Sequence, residues 1–412
     1  MAKIAFVLDF EQGHLFPTFG LAASLAERGH QVLYAGIADI EHHVRRQGFD
    51  FSVIFEEIYP PGRLAELREQ ARQIREGNGG PPSTRRTPIV EHLSPMVDGV
   101  LDRELIHLQP DLIVISYFLS LEALIMLYKY DLPMVFFTQF FRKPELAPAA
   151  LAMRQLMDYG STAFRIAQLA MKRNSSMTRL EHLVTPLAEV PEVLACPPEL
   201  QLPGYDLGDR VAFMEPSIRT DGAHGAGFPW PHLPAGHQLI YVSLGSQTEL
   251  YLDRARSAYK AIFDLFRAAA TEPWHFLLSL GSRFDPQEFG AVPDNVTISR
   301  WVPQMEALKR SALMITHGGL GSVKECLYLG VPMVVLPLER DQPDNAERVQ
   351  HHRLGRRLDP EACSGTELAA AVREVLADPG VAAAVSRMST VFRQREEERI
   401  GAQVIEEMLV RA

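Results

Sequence analysis

Residues 315–342 read ITHGGLGSVKECLYLGVPMVVLPLERDQ and determine the predicted fold. The stretch begins at the end of an apolar run, turns at three glycines, continues as a helical segment and enters a second apolar run. Short apolar runs bounded by Gly and Pro are typical of buried strands. Parallel strands need a crossover connection, which is usually a helix. The stretch therefore predicts a βαβ unit of a parallel sheet.

The same alternation of apolar runs and helical segments covers most of the chain. KIAFVLDF, HQVLYAG and FDFSVIF near the N-terminus are predicted strands with helices between them. Five further runs after residue 235, from QLIYVSLGS to PMVVLPL, predict a second set of strands. We therefore predict an α/β protein with two Rossmann-like, doubly wound domains facing across a cleft.

A Gly- and Pro-rich segment without periodicity separates the two halves at residues 204–236. We predict a first Rossmann-like domain over residues 1–205, a linker over 206–234 and a second Rossmann-like domain over 235–385. The remaining residues, 386–412, are predicted to be helical and to pack back toward the N-terminal domain.

Composition and charge argue against several classes of function. The chain has 41 Lys and Arg against 51 Asp and Glu, a net charge of −10, which argues against a nucleic-acid surface. Three cysteines without disulfide or metal spacing suit a reducing cytoplasm, and no HExxH motif or carboxylate cluster predicts a metal site. Residues 112–128 are apolar enough to resemble a membrane span, but the βαβ alternation favours a strand followed by a helix from about Ser120.

Small and polar residues follow three predicted strands of the C-terminal half, in VSLGSQ, ISRWVPQ and THGGLGS. The N-terminus of a helix offers free N–H groups and the positive end of its dipole, and it binds phosphate well. Gly318, Gly319 and Gly321 allow a close approach to the backbone, and Ser322 offers a hydroxyl. The chain has neither GxGxxG after its first strand nor GxxxxGK[ST], and this argues against a dinucleotide-binding site and against a P-loop.

Further residues near this turn have the side chains that a nucleoside diphosphate sugar needs. Trp301 offers a face on which a base can stack, and Glu325 offers a carboxylate for two ribose hydroxyls. Asp341 and Gln342, after the next strand, can bind the hydroxyls of a sugar beyond the phosphates. A packed core Trp and a surface Asp-Gln turn are the structural alternatives.

Residues 301–342 closely resemble the donor-binding signature of the UDP-glycosyltransferases, glycosyltransferase family 1 with the GT-B fold. The nearest branch is that of bacterial enzymes acting on macrolides and similar natural products, and on carotenoids. The N-terminal GHLFP and the two-domain layout extend the resemblance over most of the chain. One departure is Leu320-Gly321-Ser322, where plant members have Trp-Asn-Ser, so a donor contact made by that Asn is absent.

The resemblance implies a role for each residue of the donor site. A nucleotide-sugar donor would contact the base-stacking, ribose-binding, phosphate-binding and sugar-binding residues Trp301, Gln304, Glu325, Ser246, His317, Gly318, Gly319, Gly321, Ser322, Asp341 and Gln342. It also implies the domain roles, with acceptor binding in the N-terminal domain and nucleotide-sugar binding in the C-terminal domain. We favour UDP-glucose, with a TDP-sugar as the alternative, and expect no cofactor and no metal.

The resemblance also implies that His14, just after the first strand, is the general base that takes the proton of an acceptor hydroxyl. A His has a pKa suited to this task, although a lone loop His is usually only a polar surface residue. Relatives often pair this His with an Asp at the position of Ser116. We place Ser116 with His14 in the predicted catalytic site, where its hydroxyl can at most hydrogen-bond to the imidazole. Either the acceptor hydroxyl is acidic enough to need less help, or another group assists, or catalysis is weak.

An apolar set in the N-terminal half is predicted to bind a large lipophilic acceptor, with core packing as the alternative for each member. The set comprises Phe16, Tyr117, Phe118, Phe140, Phe141, Met153 and Met157. Methionine side chains suit adaptable pockets. The amphipathic residues 146–172 offer a second interpretation, peripheral contact with a membrane.

The predicted function is an inverting, metal-independent glycosyltransferase of the cytoplasm. It would move a sugar, glucose by preference, to a hydroxyl of a polyketide, macrolide or carotenoid type of acceptor. Two alternatives remain, a non-catalytic activator of a partner glycosyltransferase and a nucleotide-sugar epimerase on the same scaffold.

Overall fold

The chain forms two compact units, each built on one parallel sheet. The computed structural model describes residues 1–75, 92–158, 160–173, 179, 181–218, 227–248 and 251–411. The N-terminal unit comprises Met1–Ala195, Gly204–Ser217 and Arg399–Ala412, and the C-terminal unit comprises Cys196–Pro203 and Ile218–Glu398. The predicted fold class, two parallel α/β domains, is confirmed.

The sheet of the N-terminal unit has seven parallel strands. In chain order they are β1 Lys3–Val7, β2 Gln31–Gly36, β3 Asp50–Val53, β4 Leu112–Ser116, β5 Met134–Thr138, β6 Glu192–Leu194 and β7 Val211–Phe213. Their order in space is β3-β2-β1-β4-β5-β6-β7. The sequence does not predict β6 and β7, because three residues are too few for a periodic signal.

Strand β7 lies inside the segment 206–234 that the sequence predicts as a linker, so that prediction was wrong at its start. Residues 219–226 of the same segment lie outside the described residues. Gly and Pro around a three-residue edge strand hide it from pattern analysis.

Helices pack on both faces of this sheet. Before the crossing to the C-terminal unit they are α1 Gln12–Leu15, α2 Thr18–Glu27, α3 Ala38–Arg45, α4 Arg63–Arg75, α5 Leu93–Asp98, α6 Asp102–Leu108, α7 Ser120–Tyr130, α8 Pro148–Asp158, α9 Gly160–Arg173 and α10 Glu181–Glu189. Alternate residues of β4 enter opposite cores, since Ile113 and Ile115 pack in one cluster and Leu112 and Val114 in the other. A strand buried on both faces explains the continuous apolar run LIVIS.

The C-terminal unit has six parallel strands in the order β10-β9-β8-β11-β12-β13. They are β8 Gln238–Ser243, β9 Trp274–Ser279, β10 Val296–Ser299, β11 Ser311–Thr316, β12 Met333–Val335 and β13 Gly355–Arg357. Its helices are α11 Leu252–Ala268, α12 Gln304–Leu308, α13 Leu320–Leu329, α14 Gln342–His351, α15 Gly365–Ala377 and α16 Pro379–Glu398. The five predicted strands of this half are all present, and β13 is an additional short edge strand.

The last helix, α17 Ile400–Arg411, belongs to the N-terminal unit. Gly401 N–H donates to the buried Glu215 Oε2 at 2.7 Å, and Ala402 and Ile405 join the core cluster that contains Leu21. The apolar residues 112–128 form β4 and α7, as the alternation predicts. Among the described residues, no helix has the length and hydropathy needed to cross a membrane.

Candidate active site

His14 lies on the short helix α1, which follows the carboxyl end of β1. Its Nδ1 atom is 2.7 Å from Oδ1 of Asp9, which is located between the strand and the helix. A carboxylate accepts only, so Nδ1 carries the hydrogen and Nε2 is the nitrogen that can accept a proton. The backbone of the same turn is held by Gln139, whose Nε2 donates to the His14 carbonyl at 3.0 Å.

Asp9 is held as a carboxylate by its neighbours. Burial alone raises the pKa of this carboxyl, but the charge and the hydrogen bond of His14 lower it. Hydrogen bonds from the Ser116 hydroxyl, at 2.6 Å, and from the backbone N–H of Glu11, at 3.0 Å, lower it further. The net effect is an Asp9 pKa below its usual value, so the charge that orients His14 is present at neutral pH.

Ser116, the predicted catalytic partner of His14, bonds to Asp9 rather than to the imidazole. Of the sequence interpretations of Ser116, this geometry fits assistance by another group, with the carboxylate of Asp9 as the candidate. Residues 9 and 116 meet because β1 and β4 are neighbours in register, with Val7 opposite Ile115. The chain thus has a carboxylate–imidazole pair, with the carboxylate on the loop after β1 instead of after β4.

No sequence motif gives Asp9 a role. The signal that identifies it is short, namely an acidic residue between an apolar strand and a candidate base five residues later. Acidic loop residues are common on protein surfaces, so only the buried geometry separates this one from the rest.

Aromatic rings cover one side of the His14 imidazole. Phe118 stacks on His14 at 4.5 Å between ring centroids, and Phe140 stacks on Phe118 at 5.4 Å. Tyr117 meets both Phe118 and Phe140 edge-on. Phe118 is 37% exposed, so part of this aromatic cluster is accessible next to the base.

The other predicted acceptor residues are more scattered. Phe141 is buried and lies against Phe213, and Met153 packs on the core cluster of α7 and α8. Phe16 is partly buried, with its ring edge against His43. Met157 is 74% exposed on α8. The structure therefore brings Tyr117, Phe118 and Phe140 together with His14, and it places Phe141 in the core.

In the C-terminal unit, His317 and two glycines form the turn between β11 and α13. A Cβ atom on Gly245 or on Gly319 would lie 2.6 Å from the nearest atom of the His317 ring, so the imidazole is held between two backbones. Gly318 has φ +84°, and a Cβ there would lie 2.7 Å from Val335. Gly321 has open space at its Cβ position, so packing does not require a glycine there.

Burial lowers the pKa of His317 to about 4. The side chain is therefore neutral at pH 7, and it can donate one hydrogen bond instead of supplying a positive charge. A phosphate bound here would be stabilised by N–H groups and by the dipole of α13, whose N-cap residue is Gly319.

Gln304, Ser322 and Glu325 form one hydrogen-bonded cluster. Gln304 Nε2 donates to Glu325 Oε2 at 2.6 Å and to Ser322 Oγ at 3.2 Å. Burial raises the pKa of Tyr241, whose phenol donates to Gln304 Oε1 at 3.4 Å. Hydrogen bonds to one another and to Tyr241 thus hold these predicted donor-binding side chains in place.

Trp301 is 59% exposed, which excludes the core-packing alternative for this residue. Its backbone carbonyl accepts a hydrogen bond from Ser299 Oγ at 2.7 Å, which fixes the loop that presents the indole. Ser246, after β8, is also exposed. An exposed indole on a fixed loop is suited to stacking on a base.

Asp341 and Gln342 begin helix α14. Gln342 is 5% exposed, and its Oε1 accepts from the N–H groups of Leu338 and Glu339 at 2.8 and 3.0 Å. This oxygen is already engaged, so a sugar hydroxyl would bind the Nε2 end of the amide. Asp341 Oδ2 accepts from Asn345 Nδ2 at 2.8 Å. No group of three or more His, Cys, Asp or Glu with metal-ligand geometry occurs among the described residues.

Known proteins resemble the chain over both units. Residues 234–404 match the family described as "UDP-glucoronosyl and UDP-glucosyl transferase". The chain is 25% identical to NDP-glycosyltransferase YjiC of Bacillus licheniformis, with 97% of this chain and 96% of that protein covered. It is 26% identical to demethyllactenocin mycarosyltransferase of Streptomyces fradiae, with 99% and 87% covered. The structure of the glycotransferase of kitacinnamycin is similar with a TM-score of 0.75, at 27% identity over 99% of both chains.

Proposed function

We propose that this chain, a GT-B glycosyltransferase whose residues 234–404 belong to the UDP-glucuronosyl and UDP-glucosyl transferase family, moves a hexose from a nucleoside diphosphate to a hydroxyl of a lipophilic natural product. The single observation that carries the proposal is the partly buried Asp9–His14 pair beside an accessible aromatic cluster. A base prepared in this way suits the removal of a proton from a bound hydroxyl.

The reaction is one displacement at the anomeric carbon. The acceptor oxygen attacks that carbon while its proton passes to Nε2 of His14, and the bond from the anomeric carbon to the phosphate oxygen breaks. Asp9 stabilises the imidazolium that forms, and the nucleoside diphosphate leaves with the bonding electrons. Attack on the face opposite the leaving group inverts the anomeric configuration.

The leaving group needs stabilisation of negative charge without a formal positive charge from His317. Backbone N–H groups at the start of α13 and the neutral imidazole donate hydrogen bonds to it, and these fixed dipoles need no reorganisation during the reaction. Trp301 would stack on the base, with Gln304 and Glu325 on the ribose. Asp341 and the amide of Gln342 favour a sugar with several hydroxyls, so glucose from UDP-glucose is our first choice and a TDP-sugar is the alternative.

The acceptor is proposed to be large, lipophilic and hydroxylated. Phe118 and Phe140 present an apolar wall next to His14, and two similar proteins are a demethyllactenocin mycarosyltransferase and the glycotransferase of kitacinnamycin. A polyketide, macrolide or carotenoid fits such a wall. The exposed Met157 and Phe164 also allow contact with a membrane that holds such an acceptor, as the sequence suggested.

The test is a matrix of donors and acceptors. UDP-glucose and TDP-glucose are each incubated with a panel of hydroxylated polyketides, macrolides and carotenoids, and products are analysed by mass spectrometry and NMR. We expect a β-glucoside from the α-linked donor, lost in His14→Ala and retained in His107→Ala, which removes an exposed His of the same unit. Binding of nucleotide without any glycoside would refute the transfer and favour the activator alternative.

A further inference from the structure

Asn345, in the first turns of α14, connects two parts of the donor site that lie far apart in sequence. The side chain is 1% exposed. Its Nδ2 donates to the carbonyl oxygen of Gly318 at 2.9 Å and to Oδ2 of Asp341 at 2.8 Å. One amide group therefore joins the glycine turn to the carboxylate proposed to bind the sugar.

The orientation of this amide follows from its partners. A carbonyl and a carboxylate both accept hydrogen bonds, so the atom that faces them must be the NH₂ group and not the oxygen. Oδ1 then points elsewhere, and it is buried without a hydrogen-bond partner among the described residues. A buried acceptor without a hydrogen bond costs free energy. The two hydrogen bonds that Nδ2 donates offset this cost, and they explain why the amide keeps this orientation.

The bond to Gly318 also aims a backbone donor. A trans peptide is planar, so the carbonyl of one residue and the N–H of the next point in opposite directions. Asn345 holds the Gly318 carbonyl toward α14, which directs the N–H of Gly319 to the other side of the turn. Gly318 has φ +84°, a left-handed conformation that glycine adopts without steric cost.

We propose that Asn345 is a positioning residue that sets the diphosphate-binding N–H of Gly319 and the sugar-binding carboxylate of Asp341 together. The inference rests on the proposed function, because it assigns the two ends of the donor to these two partners. Its consequence is that diphosphate affinity and sugar recognition are coupled through a side chain that touches neither ligand.

Asn295 provides a matched control in the same unit. Its Nδ2 also donates to two backbone carbonyls, those of Ala269 at 3.4 Å and Trp274 at 3.0 Å, and its Oδ1 is also buried without a partner among the described residues. Trp274 begins β9, so this amide is at the amino end of the strands, whereas the glycine turn follows the carboxyl end of β11. Asn295→Ala likewise removes two hydrogen bonds and the same side-chain volume, but away from the donor residues.

The test measures melting temperature, Kd for UDP and TDP, Kd for the nucleotide sugar, and kcat with an acceptor. We expect Asn345→Ala to weaken nucleotide-sugar binding about 10-fold or more and binding of the diphosphate alone by less, while Asn295→Ala changes neither by more than about 2-fold. Asn345→Asp keeps the volume, removes both donors and adds repulsion with Asp341, so it should weaken sugar binding most even if Asn345→Ala folds poorly.

A double-mutant cycle separates positioning from a general loss of stability. Asp341→Asn should cost much less nucleotide-sugar affinity in the Asn345→Ala background than in the wild type, because the carboxylate is no longer held. Additive effects, or equal behaviour of Asn345→Ala and Asn295→Ala, would overturn the inference. If the wild type binds nucleotide but transfers no sugar, the proposed glycosyltransferase activity is refuted and the positioning role of Asn345 is not. If the wild type binds no nucleotide, both the activity and the role of Asn345 are overturned.

Discussion

Replacement of Asp9 by Asn should lower kcat while leaving the shape of the catalytic loop almost unchanged. Asn has the same volume as Asp, but it has no charge and its amide can turn an NH₂ group toward His14. In that orientation Nδ1 becomes the acceptor and Nε2 carries the hydrogen, so the nitrogen facing the acceptor hydroxyl is no longer a base. The variant therefore removes both the stabilising charge and the correct tautomer.

The magnitude follows from the geometry of the pair. With Nδ1 and Oδ1 2.7 Å apart, the centres of charge of carboxylate and imidazolium are about 4 Å apart, which is worth about 4 kcal/mol at an effective dielectric constant near 20. Since about 1.4 kcal/mol corresponds to a factor of ten in rate, we expect kcat to fall about 10³-fold. Ser116→Ala removes a single hydrogen bond to Asp9 and should lower kcat by about 10-fold.

The assay is steady-state glycoside formation at saturating donor between pH 6 and 9, with nucleotide Kd and melting temperature measured in parallel. Asp111→Asn is the matched control, because Asp111 accepts from the Lys3 N–H at 2.7 Å at the opposite end of the same two strands. Asp9→Asn should bind nucleotide like the wild type. A kcat for Asp9→Asn within 3-fold of wild type across this range, in a folded protein, would refute the role given to Asp9 (a threshold of about 0.7 kcal/mol).

Three further predictions concern the C-terminal unit. Gly318→Ala should lower the melting temperature, since φ is +84° and the new Cβ would meet Val335 at 2.7 Å, whereas Gly321→Ala meets nothing within 4 Å and should leave it unchanged; equal melting temperatures would contradict the strain argument. Burial lowers the His317 pKa from 6.5 to about 4, so the unfolded state binds the extra proton between these values, and the free energy of unfolding should fall as pH drops through this window, by at most about 3 kcal/mol. Well above pH 6.5 the imidazole is neutral in both states, so this loss of unfolding free energy is absent. In urea titrations at pH 7.5 and 5, we expect the unfolding free energy to fall less in His317→Gln than in the wild type. An equal fall in both proteins would contradict this account of His317. Trp301→Ala should raise the Kd for nucleotide about 10- to 100-fold through lost base stacking while Trp301→Phe retains most of the affinity, and calorimetry showing no change in the Ala variant would exclude the stacking role.

The periodic features of the fold could be predicted from the sequence because each is a local pattern. Continuous apolar runs such as LIVIS predict buried parallel strands, and the helical segments between them predict the crossovers. The short strands β6, β7 and β13 were not predictable in this way. Each has three residues and is held in place by pairing with a neighbouring strand, which is a tertiary interaction.

The donor site was predictable as a set of residues but not in the role of each glycine. Gly318, Gly319 and Gly321 are equivalent in the sequence motif, yet the structure requires Gly318 for its backbone conformation and Gly319 for its contact with His317. Gly321 meets neither condition. A glycine is needed only where φ is positive or a neighbour lies close, and both depend on the packing of β11 against the following helices.

By itself, the sequence determined the two α/β domains, the donor signature and the candidate base, because local hydrophobic periodicity and contiguous motifs encode them. Only the tertiary structure decided what supports that base. Asp9 and Ser116 are 107 residues apart, and they meet because β1 and β4 pair side by side and bring their carboxyl ends to one edge of the sheet. Burial at that edge turns an ordinary loop aspartate into the partner of His14, and burial is a property of the packed chain that no local pattern contains.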